Sequence, residues 1–329
     1  MFVFPFRGGS YPEAAEDIQR ELDIDYHILE SAEISLFFSF PKRYKITQTL
    51  PLFSAGPTDS IDKEVINFEP RLKAISNYAA GYNNIDVKEA TRRGIVVSNT
   101  PDVLTDATAE LAWALLFAVA RRVVEGDNFT RSGKFDGWAP LLMLGKRISN
   151  KTLGIIGAGR IGTAFALKSR GFNMDILYYN RSENKVLEEK LNAKKVSLGE
   201  LLKRSDFVSI HLPLTSNTYH LLGYKELKLM KRDAILINTA RGAIVDEDAL
   251  IRVLKEGAIF GAGLDVYENE PEIREELKKL DNVVLLPHIG SATLESRTKM
   301  AILAAENLVL SLKGKRPKYC VNPEVFDKS

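Results

Sequence analysis

The stretch Lys151-Thr-Leu-Gly-Ile-Ile-Gly-Ala-Gly-Arg-Ile-Gly162 consists of a short apolar run, closely spaced glycines and then residues at helical spacing. This order predicts a buried strand, a tight turn and the first turn of a helix. Gly157, Gly159 and Gly162 match the pattern G-x-G-x-x-G, which permits the turn, the approach of a pyrophosphate and close helix-strand packing. An ordinary strand-turn-helix is the alternative. The apolar run before the glycines and the helical spacing after them favour a dinucleotide-binding turn.

The N-terminus of the predicted helix is the expected phosphate site, because it offers free N–H groups and a partial positive charge. The residues of the turn that we expect to contact the dinucleotide are Gly157, Ala158, Gly159, Arg160, Ile161 and Gly162.

The residues after the next predicted strand, Met174–Tyr179, bear on which dinucleotide binds. An NAD-specific site places an acidic residue here, about 20 residues beyond the glycines, on the ribose 2′-hydroxyl. This chain has Asn180, Arg181 and Ser182 instead. Arg181 can neutralise a 2′-phosphate, and its two neighbours can donate hydrogen bonds to it. We therefore favour NADP(H), with NAD(H) bound loosely at a polar turn as the alternative.

Length, charge and cysteine content exclude several classes of protein. A chain of 329 residues suggests two domains. The formal net charge of +2, without a basic cluster interleaved with aromatic residues, predicts no nucleic-acid partner. Cys320 is the only cysteine, so no internal disulfide and no cysteine metal site form, and we expect no metal. These features suit a reducing cytoplasm.

Targeting and membrane segments are not expected either. The N-terminal stretch Met1–Phe6 contains no basic n-region, and Arg7 follows too soon for a signal peptide. The longest apolar run, Leu111–Ala120, is about half the length of a membrane span and predicts a buried helix. We therefore expect a cytoplasmic protein without a membrane partner.

Strand-like and helix-like segments alternate from Leu153 onward, which predicts a doubly wound parallel sheet with helices on both faces. Further strands of this sheet are predicted at Phe207–Leu212, Ala234–Asn238, Ile259–Leu264 and Val283–Leu286. Upstream, Leu72–Ser76 and Gly94–Val97 predict strands of a separate α/β unit, and Leu294–Lys313 predicts one long helix. The hydrophobic pattern of residues 31–67 is too weak to predict helices or strands there.

Three ionisable residues, Arg241, Glu270 and His288, follow predicted strands. Ligands of open parallel sheets bind outside the carboxyl ends of the strands. Each residue has a structural alternative: the arginine as a helix cap, the glutamate in a solvated turn and the histidine as a structural strand end. Together they supply a cation for a carboxylate or carbonyl oxygen, a proton donor near neutral pH and a carboxylate that supports the donor. This set matches the reduction of a 2-keto acid by hydride.

Six motifs, in this order and spacing, resemble the D-isomer-specific 2-hydroxyacid dehydrogenase family. They are Ala80–Asp86, Thr100–Glu110, Gly157–Gly162, Asn238–Gly242, Gly263–Pro271 and Pro287–Ser291. The resemblance covers Leu72 to Asn322. Within the family, Val103–Glu110, Leu177–Ser182 and Ala304–Leu308 are most similar to glyoxylate/hydroxypyruvate reductases.

The resemblance implies an α/β fold of two doubly wound domains, in which a Rossmann coenzyme domain is inserted into a flavodoxin-like substrate domain. Residues 1–99 would begin the substrate domain, residues 100–289 would form the NAD(P)-binding domain, and residues 290–329 would return to the substrate domain as a C-terminal helix. It also implies a homodimer through the coenzyme domains. The helix Leu111–Ala120 and the arm that follows it to Leu144 would form the interface; packing of the arm inside its own subunit is the alternative.

The resemblance implies a role for each site residue. Arg241 would hold the substrate carboxylate and carbonyl oxygen, His288 would protonate the developing alkoxide, and Glu270 would keep His288 protonated and oriented. The N–H groups around Ala80 and Gly81 would bind the substrate carboxylate. The expected cofactor contacts are Thr105 beside the cofactor, Leu212 and Pro213 near the adenosine half, Thr239 and Ala240 along the nicotinamide, Asp265 at its carboxamide, and Gly290.

Some positions depart from the family pattern. Ala79 and Ala80 stand where Gly and Val are frequent, and residues 31–59 do not match closely. A formate dehydrogenase of this fold would have glutamine in place of Glu270, and a phosphoglycerate dehydrogenase of the long type would continue beyond Ser329. Neither of these two enzymes is therefore expected. A D-lactate or phosphoglycerate type of dehydrogenase stays an alternative. A sensor of nicotinamide nucleotides with the same fold is a second one, because such proteins can keep all three ionisable residues.

Overall fold

The computed structural model describes residues 52–56, 59–68 and 70–328. The expectations for the N-terminal stretch Met1–Phe6, and for the part of residues 31–67 before residue 52, lie outside the described residues. The chain divides into two compact units: unit 1 is Met1–Leu104 with Ala292–Ser329, and unit 2 is Thr105–Ser291. The changes of unit thus fall a few residues after the expected domain boundaries, which were placed after residues 99 and 289.

The described strands are, in chain order, β1 (Leu52–Ala55), β2 (Ala74–Asn77), β3 (Val96–Ser98), β4 (Thr152–Ile156), β5 (Asp175–Tyr179), β6 (Lys194–Lys195), β7 (Phe207–Ile210), β8 (Ile235–Asn238), β9 (Gly261–Leu264) and β10 (Val283–Leu285). The described α-helices are α1 (Lys63–Phe68), α2 (Val87–Arg92), α3 (Thr105–Ala120), α4 (Val123–Arg131), α5 (Arg160–Leu167), α6 (Lys185–Leu191), α7 (Leu198–Arg204), α8 (Tyr224–Leu227), α9 (Glu247–Lys255), α10 (Glu275–Lys278) and α11 (Leu294–Leu312).

Unit 2 is built on a seven-stranded sheet in the order β10-β9-β8-β7-β4-β5-β6, and all of its paired strands are parallel. Strands β7, β8 and β9 are buried at every position. Parallel strands that are covered on both faces are typically apolar along their whole length, as these are. The predicted doubly wound parallel sheet is confirmed. The strand order reverses at β4, which pairs with β5 on one side and β7 on the other, and this is where such sheets bind ligands.

Helix α3 covers one face of this sheet, as the apolar run within it predicts. Trp113 is 6% exposed and stacks on Phe165 and Phe172 at centroid distances of 4.9 and 5.3 Å. Its indole N–H donates to the carbonyl of Phe165, which satisfies the one polar atom of the ring. The apolar face of α3 is therefore turned largely to the core of its own unit. The expectation that this helix contributes to a dimer interface stays a prediction.

Unit 1 contains a three-stranded parallel sheet in the order β1-β2-β3. Its core is aliphatic and includes Ile66, Ile75 and Val97, all fully buried. Helix α11 packs against β2, and the side chain of Asn322 accepts a hydrogen bond from the Val97 N–H at 2.7 Å. The two upstream strands and the long C-terminal helix were predicted and are present. In the described part of the chain, no helix is both long enough and apolar enough to cross a membrane.

Candidate active site

The glycine turn lies at the carboxyl end of β4, and each of its three glycines meets a different steric condition. Gly157 has φ +98°, and a Cβ there would lie 2.8 Å from the carbonyl carbon of His211. A Cβ on Gly162 would lie 2.1 Å from the Gly157 carbonyl oxygen. A Cβ on Gly159 would meet nothing within 4 Å, so this side of the turn is open, and no side chain caps the N-terminus of α5. The turn therefore fits the diphosphate of a dinucleotide.

The segment after β5 is exposed but anchored. The side chains of Arg181 and Ser182 are exposed, while Asn180 is half-buried and donates to the Ser182 carbonyl at 3.1 Å. Asn184 caps α6 and also donates to the Ala158 carbonyl at 2.9 Å, which joins this segment to the glycine turn. Sequence reasoning did not single out Asn184, although its place just before a helix is the signal of a capping residue.

Arg241 follows β8 in a loop that the side chain of Asn238 shapes. Asn238 is 1% exposed; its amide donates to the Arg241 carbonyl at 2.9 Å, and its oxygen accepts from the Ala240 N–H at 3.0 Å. Burial lowers the pKa of the Arg241 guanidinium, and the charge of Glu270 opposes that shift. The group stays cationic, because an arginine loses its proton only far above neutral pH. Sequence reasoning also missed Asn238, which stands at the start of a quoted motif.

Glu270 and His288 form a hydrogen-bonded pair. The His288 Nδ1 lies 2.7 Å from Glu270 Oε2, and the two side chains are 26% and 16% exposed. Burial alone would raise the pKa of Glu270, but the hydrogen bond and charge of His288, the Tyr267 N–H and Arg241 together hold the pKa below its ordinary value. The carboxylate is thus ionised at neutral pH beside an imidazole. His288 itself has φ +56°, a conformation that side chains other than glycine adopt mainly where their surroundings hold them.

Asp265 holds the loop that carries His288. It is fully buried after β9, and its two carboxylate oxygens accept the N–H groups of Ile289 and Gly290 at 2.8 and 2.7 Å. Burial raises the pKa of Asp265, and these N–H groups and His288 counteract the shift only in part. Its expected contact with a nicotinamide carboxamide stays a prediction.

The other expected site residues are distributed over both units. In unit 2, Leu212 and Pro213 follow β7, Thr239 and Ala240 follow β8, and Thr105 begins α3. The Thr239 hydroxyl is buried and has no hydrogen-bond partner among the described residues. Ala80 and Gly81 lie in unit 1, in the loop after β2, where their carbonyls accept from Asn99 and Asn77 at 2.7 and 2.6 Å. The binding roles of these residues also stay predictions.

Comparison with known proteins identifies the class of this one. Residues 113–290 match the family model described as the D-isomer specific 2-hydroxyacid dehydrogenase, NAD binding domain. The chain belongs to the D-isomer-specific 2-hydroxyacid dehydrogenase family, and it is an NAD(P)-dependent oxidoreductase with a Rossmann domain that acts on a small acid. The predictions of family, fold class and enzymatic nature are confirmed.

Three relatives illustrate the similarity. The chain is 58% identical to a glyoxylate reductase from Thermococcus litoralis over 276 residues, which cover 83% of each protein. It is 38% identical to the structure of a glyoxylate reductase from Paecilomyes thermophila, with TM-score 0.76 and 84% of each chain covered. It is 32% identical to an NADPH-dependent glyoxylate/hydroxypyruvate reductase from Sinorhizobium meliloti, solved with NADP and malonate, with TM-score 0.77 and coverage of 85% of this chain and 86% of that one.

Proposed function

We propose that this protein reduces a small 2-keto acid with NADPH as the hydride source, either glyoxylate to glycolate or hydroxypyruvate to D-glycerate. The observation that carries the proposal is the ionised Glu270 carboxylate 2.7 Å from His288, with the half-buried cation of Arg241 nearby. Relatives at 52–58% identity that are named glyoxylate reductase support the choice of substrate.

Each residue of this group has a distinct task in the proposed reaction. Arg241 binds the substrate carboxylate and polarises the carbonyl oxygen. His288 donates a proton to that oxygen as negative charge develops on it, and Glu270 stabilises the imidazolium form beforehand. The nicotinamide, when bound, supplies the hydride. Unit 2 is the proposed coenzyme domain and unit 1 the proposed substrate domain. The N–H groups around Ala80 and Gly81 are the proposed hydrogen-bond donors to the substrate carboxylate.

The preference for NADPH rests on the segment Asn180–Ser182. It offers an exposed guanidinium and two hydrogen-bonding side chains, and it lacks the carboxylate that would bind a ribose 2′-hydroxyl and repel a 2′-phosphate. The Sinorhizobium meliloti relative was solved with NADP, which agrees with this choice. NAD(H) remains the weaker substrate in this proposal.

The experiment that tests the function is a panel of 2-keto acids assayed with NADPH and with NADH. We expect the highest kcat/KM for glyoxylate or hydroxypyruvate with NADPH and poor turnover of phenylpyruvate, whose side chain is bulky. A preference for pyruvate or phenylpyruvate would move the protein to a D-lactate type or another branch of the family. Absence of turnover with every acid would favour a nucleotide-sensing role.

We also propose a cytoplasmic homodimer, in which the helix Leu111–Ala120 and the arm that follows it to Leu144 form the interface. In this arm Phe135, Trp138 and Leu141 are 56%, 85% and 78% exposed, and an apolar surface of that kind is usually covered in an assembly. Sedimentation should give twice the mass of one chain at micromolar concentration. A monomer at that concentration would refute the dimer.

A further inference from the structure

Unit 2 contains a second histidine–glutamate pair, whose glutamate precedes Glu270 by two residues. His220 Nε2 lies 2.8 Å from Glu268 Oε1, and the two side chains are 32% and 16% exposed. The ring of Tyr219 stacks on the imidazole at 4.0 Å, and its hydroxyl reaches Glu268 Oε1 at 3.4 Å. The proposed chemistry uses neither member of this pair.

Glu268 belongs to the turn that carries Glu270, two residues further on. This turn is in backbone contact with the loop of Arg241, because a Cβ on Gly242 would lie 1.9 Å from the carbonyl carbon of Tyr267 and 2.4 Å from the Glu268 nitrogen. The Tyr267 N–H in turn donates to Glu270 Oε1 at 3.0 Å. A shift of Glu268 would therefore move the neighbouring Tyr267 N–H, which donates to Glu270.

His220 belongs to the segment on the other side of the Arg241 loop. Its N–H donates to the Ala243 carbonyl at 2.8 Å, and the Leu222 N–H donates to the Ile244 carbonyl at 3.1 Å. His220 has φ +49°, in the left-handed region that favours glycine. The ring of His220 is held by both an aromatic stack and a carboxylate. A strained backbone that is kept in this way suggests that the contact with Glu268 has a role.

The charges around the imidazole come from several elements. Glu268 faces it directly, and its second oxygen accepts weakly from the Glu247 N–H at 3.5 Å, at the start of α9. Asp246 lies near Tyr219, and Arg274 lies 3.9 Å from the Glu247 carboxylate. Because an imidazole can donate from Nε2 whether it is neutral or protonated, the bond to Glu268 does not depend on one charge state.

We propose that His220 and Glu268 are a positioning pair, which fixes the turn of Glu270 against the loop of Arg241 and so keeps Glu270 aligned with His288. The proposal rests on the proposed function, since alignment matters only if Glu270 and His288 carry the proton. It predicts that loosening the pair lowers the reduction rate without unfolding the protein.

The test is His220→Gly, which removes the imidazole and also releases the strained backbone. The thermal midpoint should stay within about 2 °C of the parent, since a small loss of contact is offset by the relaxed conformation. We expect kcat for glyoxylate reduction to fall about fivefold, with KM changed less than about twofold. The alkaline limb of the pH profile should move toward acid by about half a unit. Asn192→Gly, at another left-handed position with φ +52° and an exposed side chain, is the control and should leave both parameters unchanged.

A double-mutant cycle separates positioning from general damage. Glu268→Ala should match His220→Gly, and the double variant should be no slower than either single one, while Glu268→Gln, which keeps an acceptor oxygen, should regain most of the rate. If His220→Gly melts early, His220→Asn, which tolerates the left-handed region but is too short to reach Glu268, takes its place.

Comparison with Glu270→Gln distinguishes the two levels of the argument. If Glu270→Gln moves the alkaline limb while His220→Gly keeps the kcat and limb of the parent, the positioning role is wrong and the proposed function stands. If Glu270→Gln also keeps the parent profile, the proposed proton-transfer pair fails, and the positioning role falls with it.

Discussion

The site of Arg241, Glu270 and His288 and the segment Asn180–Ser182 are both expected to face ligand, but they are constructed differently. The first group is held by buried anchors: Asp265 is fully buried and Asn238 is 1% exposed. In the second, the Arg181 guanidinium is exposed and makes no hydrogen bond or ion pair within the described part of the chain. The first group brings opposite charges together, whereas the second segment has one cationic side chain, which is exposed to solvent.

This difference indicates which of the two regions tolerates amino-acid substitution. A charge that is partly withdrawn from water carries a desolvation penalty when its partner is lost, so each member of the first group depends on the others. An exposed arginine adds attraction for a phosphate but can be exchanged without loss of folding. Changes in the first region should therefore damage the reaction with either cofactor, and changes in the second should only alter the choice between cofactors.

The largest effect is expected from His288→Asn. Asparagine tolerates the left-handed backbone at this position, so the loop should keep its conformation while the proton donor is lost. Loss of a positioned acid-base group lowers rates by about 10²- to 10⁴-fold, and we expect such a fall in kcat for both glyoxylate reduction and glycolate oxidation. Steady-state kinetics in both directions, with a thermal melt to check folding, measures it. A kcat within threefold of the parent would exclude His288 as the proton donor.

A smaller and more selective effect is expected from Arg181→Gln. Removal of one charge-assisted contact to the 2′-phosphate costs roughly 1.5–3 kcal/mol, or about one to two decades of kcat/KM with NADPH. The kcat/KM with NADH should hardly change, and the added replacement Asn180→Asp should make NADH the better cofactor. Arg170→Gln, a change of the same kind at another exposed arginine, is the control. Equal use of both cofactors by the parent protein would contradict the assignment.

Glu270→Gln tests, through the pH profile, the electrostatics of the group formed by Arg241, Glu270 and His288. Because the pKa of Glu270 is held below its ordinary value, the carboxylate is charged at neutral and alkaline pH and favours the imidazolium form of His288. Without this charge the imidazolium form is stabilised less, so the alkaline limb of glyoxylate reduction should move toward acid by roughly one unit or more. Glycolate oxidation uses the neutral imidazole and should lose much less near neutral pH. An unshifted limb would show that Glu270 is not the electrostatic partner.

The smallest effect concerns acid stability. A carboxyl group whose pKa is depressed on folding contributes stability above its pKa in the unfolded chain, and this stability is lost as the pH falls through its folded value. The free energy of unfolding of the parent should therefore decrease more steeply than that of Glu270→Gln as the pH falls below the range in which an ordinary glutamate titrates. Denaturant titrations at a series of acidic pH values measure the two slopes. Parallel slopes would mean that the ion pair adds nothing to stability.

Local signals in the sequence were sufficient for the parallel sheet of unit 2. Continuous apolar runs predict strands that are buried on both faces, and β7, β8 and β9 lie within the predicted ranges. The two-residue strand β6 was missed, since Lys194–Lys195 has no apolar residue and is extended only through its pairing with β5. An apolar run does not tell whether its face is turned inward or outward, so the interface expected of helix α3 stays a prediction.

By itself the sequence determined the fold class, the family and the identity of the ionisable residues, because these depend on periodicity, spacing and residue type along the chain. Only the tertiary structure decided that Asp265 holds the His288 loop, that Asn238 shapes the loop of Arg241, and that His220 meets Glu268. The partners in the first and last of these contacts are 25 and 48 residues apart. Hydrogen bonds between segments so far apart in sequence depend on how the strands lie side by side, and no local pattern of residues predicts which of them will meet.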